Sequence, residues 1–72
     1  MDINDRLKEL REDADKTITE IANVLGTSYQ YYQKYEKGKH EIPTRHIKTL
    51  AVYYGVSADY ILGLPKRLAW PR

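Results

Sequence analysis

Apolar residues return along this chain at helical intervals, in stretches separated by glycines. Ile3, Leu7, Leu10 and Ala14 follow one another at steps of four, three and four, which sets them on one helical face. The spacing predicts a helix over residues 3–14, capped by Asp2 and with Asp5 adding negative charge to its first turn. Thr17 and Glu20 form a T-x-x-E capping box, in which each side chain satisfies a free backbone N–H of the other. It opens a second helix with Ile21, Ala22, Val24 and Leu25 as its apolar face, and Gly26 stops it. A third helix starts at Thr27 or Ser28 as cap and reaches Tyr35 or Glu36, with Gly38 beyond it. Residues 39–43 read as a short linker. A fourth helix over residues 44–54 turns Ile47, Leu50, Ala51 and Tyr54 inward and closes at Gly55. Ser57 caps a fifth over residues 58–62, closed by Gly63. No strand pattern or repeat interrupts this order, so the expected fold class is all-α.

Residues 17–38 stand out within this order. A short amphipathic helix, a tight turn at Gly26 and a second helix with polar and aromatic residues outside make the layout of a helix-turn-helix. The second helix of such a pair can enter the major groove of DNA. A chain of 72 residues is one domain at most, with a small core. The absence of cysteine excludes disulfides and thiolate chemistry and fits a reducing cytoplasm. No apolar run approaches the ~20 residues of a membrane span, and no signal-peptide pattern opens the chain. The net charge of +2 is unevenly placed. Residues 1–25 hold four basic against seven acidic side chains, and residues 26–72 hold eight against three. The positive excess begins where the third helix begins, which suits a polyanionic partner.

The segments R-L-K-E-L-R-E-D, T-I-T-E-I-A-N-V-L-G-T-S, Y-E-K-G-K, I-P, L-A-V-Y-Y-G-V-S and D-Y-I-L-G occur in this order between residues 3 and 63. Together they make the chain resemble the Cro/cI-type (lambda-repressor-like, or Xre-like) helix-turn-helix regulators. The resemblance implies a compact bundle of five short helices over residues 1–63, binding double-stranded DNA as a homodimer. Residues 64–72 remain a tail and a possible dimer contact. The chain departs from the family at Lys16, where a leucine is common, and at Ile18, where a glutamine often touches phosphate. Ile18 either leaves one phosphate anchor out or replaces the apolar packing lost at Lys16.

Tyr29, Gln30 and Lys34 match the base-reading positions of the family's recognition helix. Tyr29 and Gln30 fall in its first turn, and Lys34 lies one turn beyond Gln30 on the same face. Glutamine can bind adenine N6 and N7, lysine can donate to guanine O6 or N7, and tyrosine can pack on a thymine methyl or reach a phosphate. Gln33, Lys37 and Lys39 match positions that touch the sugar–phosphate backbone. Tyr31 is either a phosphate contact or simply exposed. Thr27 and Ser28 either help a phosphate reach the free N–H groups of the third helix or only cap it. Arg11 and Glu36 match an internal ion pair rather than a DNA contact. Tyr32 and Tyr35 read as core, the Tyr32 hydroxyl needing a partner.

Other chemistry finds little support. His40 and His46 are the only histidines, too few for a metal centre without convergent ligands. Ser28 and Ser57 read as caps, and no nucleophile–base–orienter set is visible, so no enzyme and no cofactor is expected. Clustered tyrosines as a single-strand stacking platform are disfavoured, since such platforms lie on sheets or open grooves. Tyr60, Leu64 and Trp70 are the candidates for dimer contacts, Trp70 packing either on its own domain or on a second subunit. The expected function is that of a cytoplasmic, bacterial or phage-encoded transcriptional regulator, a repressor on a near-palindromic operator. The alternative is a protein-interaction module, such as an antitoxin that also binds its own promoter.

Overall fold

The computed structural model describes residues 2–64, and within them the chain forms α1 (Ile3–Asp13), α2 (Ile18–Leu25), α3 (Tyr29–Glu36), α4 (Thr44–Tyr54) and α5 (Ala58–Leu62). No strand occurs among the described residues. Three of the helix starts are side-chain caps. Thr17 Oγ1 accepts the Glu20 N–H at 3.1 Å while Glu20 Oε1 accepts the Thr17 N–H at 2.9 Å, which completes the capping box. Ser28 Oγ and Ser57 Oγ each accept an N–H three residues on, from Tyr31 and Tyr60, at 3.1 Å. Asp2 departs from expectation. It occupies the capping position of α1, but its carboxylate makes no capping bond. The turn closes through the backbone, with the Arg6 N–H on the Asp2 carbonyl at 3.0 Å. An exposed carboxylate keeps its hydration and favours the positive helix end without a fixed bond.

All five helices end in the same way. A residue in the left-handed region donates its N–H three residues back, and the next residue donates five back. Gly26, Gly38, Gly55 and Gly63 fill the left-handed position of α2 to α5. At α1 that position belongs to Asp15, with φ 61°. The Asp15 N–H reaches the Glu12 carbonyl and the Lys16 N–H the Arg11 carbonyl, both at 3.0 Å. Each turn is therefore short and self-satisfied, and consecutive helices are free to pack on one core.

Every helix contributes to that core. Leu7 and Leu10 enter from α1, Ile21 and Ala22 from α2, Tyr32 and Tyr35 from α3, Ile47 and Leu50 from α4, and Ile61 from α5. Ile18 and Leu25 are partly buried against it. Ile18 thus packs inward at the first position of α2, where it supplies apolar contact, while half-buried Lys16 holds its ammonium 3.9 Å from Glu20. Val24, read as part of the apolar face of α2, is only half-buried and lies outside the core cluster.

Candidate nucleic-acid interface

Three residues, Gly26, Thr27 and Ser28, join α2 to α3. The Thr27 N–H is used by the Ala22 carbonyl at 2.9 Å, and Ser28 caps α3. Thr27 is therefore part of the turn, and the cap falls to Ser28. The α3 that follows is two-sided. Tyr32 and Tyr35 are buried, while Gln30, Lys34 and Lys37 lie exposed at steps of four and three along the opposite face. Tyr29 and Tyr31 flank that face, 43 % and 47 % exposed. On one flank Gln33 Nε2 reaches the Tyr29 hydroxyl at 3.4 Å, a long bond. On the other, the Tyr31 ring stands edge-on to Tyr35 with centroids 5.6 Å apart. Lys39 is exposed just past the Gly38 turn, its N–H bonded to the Lys34 carbonyl at 2.9 Å.

A buried polar cluster fixes this helix from behind. Arg11 on α1 donates through Nε and Nη2 to the two carboxylate oxygens of Glu36, at 2.8 and 3.0 Å, and through Nη1 to the Lys16 carbonyl at 3.0 Å. The Glu36 side chain is 5 % exposed. The bidentate geometry sets distance and angle at once, tying α1 and its closing turn to the last residue of α3. Hydrogen bonding to Glu36 holds the Arg11 guanidinium above its ordinary pKa despite burial. Burial pushes the Tyr32 hydroxyl far above the phenolic range, and the Glu36 carboxylate beside it adds to the effect. Tyr54 is raised in the same way, by burial first and Glu36 second. Both hydroxyls are buried without a partner of good geometry among the described residues. Arg11 and Glu36 are thus internal and unavailable to a ligand.

Two histidines take places that periodicity alone missed. His46 is a core residue, 9 % exposed, its ring 6.0 Å from that of Tyr35. Its spacing of four from Leu50 was the available signal. His40, in the linker, stacks on Tyr31. No group of three or more His, Cys, Asp or Glu among the described residues could hold a metal ion. No helix among the described residues is long and apolar enough to cross a membrane.

Of the residues read as dimer contacts, Tyr60 is 38 % exposed but engaged by its own α1. The Arg6 guanidinium lies 4.3 Å from the ring centre, and the hydroxyl is 3.5 Å from Glu9. Leu64 is exposed, and so are Val52, Tyr53 and Leu62, which sequence reasoning did not single out. Trp70 lies outside the described residues.

A bundle of this kind with a capped, glycine-turned α2–α3 pair defines a helix-turn-helix protein. Residues 7–61 match the helix-turn-helix family, and the chain belongs to it. It is 37 % identical over 59 residues to the HTH-type transcriptional regulator YobD of Bacillus subtilis (strain 168), a match over 82 % of this chain and 53 % of that protein. The chain therefore spans about half the length of that relative. Its fold is similar to that of a transcriptional regulator from Listeria innocua, with a TM-score of 0.84 at 19 % identity over 93 % of this chain and 63 % of that one.

Proposed function

We propose that the chain is a sequence-specific, double-stranded DNA-binding module of a transcriptional regulator. The observation that carries this reading is the outer face of α3. Gln30, Lys34 and Lys37 are exposed in one row on a helix whose inner face is locked by the Arg11–Glu36 pair. Gln30 and Lys34, with Tyr29 beside them, read base edges. Gln33, Tyr31, Lys37 and Lys39 contact the sugar–phosphate backbone and set affinity and salt dependence. Ser28 and Thr27 leave the N–H groups of Tyr29 and Gln30 free at the start of α3, where the helix dipole favours a phosphate. Residues 1–63 act as one DNA-binding unit.

Two copies place their α3 helices in half-sites about 34 Å apart on a near-palindromic operator. The exposed Leu62 and Leu64 at the end of α5 supply the apolar surface for that homodimer. The bound dimer acts by occupancy as a repressor, in the cytoplasm on nucleoid DNA. Selection of bound duplexes from a random pool tests the reading. Enrichment of a two-fold symmetric site supports it. Weak, salt-sensitive binding with no enriched site would overturn it. The exposed Val52 (83 %) and Tyr53 on α4 favour a second reading, an antitoxin-like module that holds a protein partner and also binds its own promoter. Co-purification of a second protein with the chain would favour that reading.

A further inference from the structure

His40 lies in the linker, two residues past the Gly38 turn, with no place in the apolar pattern. Yet its exposed imidazole lies nearly parallel to the Tyr31 ring, with centroids 5.4 Å apart and planes inclined by 17°. The backbone enforces this return. Both the Lys39 N–H and the His40 N–H are directed at the Lys34 carbonyl, at 2.9 and 3.4 Å, which folds the linker back along α3. Tyr31 is itself braced edge-on against Tyr35, which is buried. An exposed histidine is therefore attached through one half-exposed ring to the core. Two lysines stand near it, the Lys34 ammonium 6.0 Å from the centre of the Tyr31 ring and Lys39 before His40 in the chain, while the exposed Glu41 follows it.

The location decides what such a ring can reach. Gln30, Lys34 and Lys37 run along the middle of the exposed face of α3, and Tyr31 is its linker-side flank. A ring stacked on that flank stands outside the middle row. In a duplex engaged by α3, the flank meets the strand backbone rather than base edges. Imidazole carries at least one N–H donor in either protonation state, and a donor held in place loses little freedom on meeting a phosphate oxygen. We propose that His40 is a phosphate contact of the DNA interface and that Tyr31 is its positioning residue. The proposal rests on the duplex-binding reading above.

The test uses the full chain and its selected duplex, with affinity and phosphate-ethylation interference as readouts and the thermal midpoint as a check on folding. His40→Phe keeps a ring for the stack and removes the donor. It is expected to weaken binding roughly five- to ten-fold, to remove interference at one phosphate in each half-site, and to leave the midpoint unchanged. His40→Gln, which restores an N–H donor, recovers part of the loss. Tyr31→Leu removes the stacking face, and the double variant Tyr31→Leu/His40→Phe is expected to bind no worse than Tyr31→Leu alone. Wild-type affinity and an intact interference pattern in His40→Phe would overturn the contact. Additive losses in the double variant would overturn the positioning role. Failure of the wild-type chain to bind any duplex is a separate result, and it would overturn the parent reading together with this one.

Discussion

Gln30, Lys34 and Lys37 share one exposed row on α3, but their chemistry separates them. A glutamine amide and a lysine ammonium over base edges discriminate between bases, whereas a lysine over phosphate only neutralises charge. Gln30→Ala or Lys34→Ala is expected to cost about 1–3 kcal/mol on the selected site and to relax base choice there. Equal losses on random duplexes would contradict base reading. Lys37→Ala is expected to weaken all duplexes alike and lower the salt slope by roughly one unit, as a salt titration of binding would show. Glu36 is the contrasting residue, because its carboxylate is buried and bound by Arg11. Glu36→Ala strands the Arg11 guanidinium, itself only 12 % exposed, and is expected to cost about 3–5 kcal/mol in chemical denaturation. Glu36→Gln retains acceptor and donor groups and is expected to cost less. An unchanged midpoint in Glu36→Ala would remove the pair from the account of stability.

Among the elements, helix starts and helix ends differ in how readily the sequence displays them. The T-x-x-E box at α2 and the serines at α3 and α5 are local signals, since a side chain three residues away from its N–H partner needs no tertiary help. The four glycine ends are legible for the same reason. The end of α1 was not, and the expected helix over residues 3–14 gives way to Ile3–Asp13 with Ala14 already past it. Its closing residue is Asp15, a side chain that tolerates the left-handed region at a cost glycine does not carry. Asp15→Gly is therefore expected to stabilise by about 1 kcal/mol, a rise of roughly 4–8 °C in the thermal midpoint of a domain this small. A fall in the midpoint would mean that the Asp15 side chain contributes more than its backbone costs. Because Arg11 also binds the Lys16 carbonyl in this turn, the substitution reports on the support of α3 as well as on α1.

Across the whole molecule, burial of His46 makes stability depend on pH. Burial first, and the Arg45 charge second, hold its imidazole below the ordinary value of 6.5. The unfolded chain then takes up a proton at higher pH than the folded one. This contribution to stability is complete above about pH 6.5 and is lost as pH falls from there toward the folded value. Thermal midpoints between about pH 7.5 and 5.5 are expected to fall in the wild type and to fall less in His46→Phe, which keeps a ring against Tyr35. Parallel curves would exclude His46 as the source. Charge is also distributed at this scale, with the acidic excess in residues 1–25 and the basic excess from residue 26 onward.

The sequence by itself determined the five helices, most of their caps, the inward faces of α1 and α4, and the shared face of Gln30 and Lys34 on α3. These are properties of neighbours within one or two turns, and periodicity reports them directly. The Arg11–Glu36 positions were legible only through family resemblance, because 25 residues separate them. Tertiary structure alone decided that Ile18 packs inward, that Tyr60 faces Arg6, and that His40 returns to Tyr31. Each of these depends on how two elements meet. Spacing along one helix carries no information about the side chain that a turn or a packed neighbour brings to it.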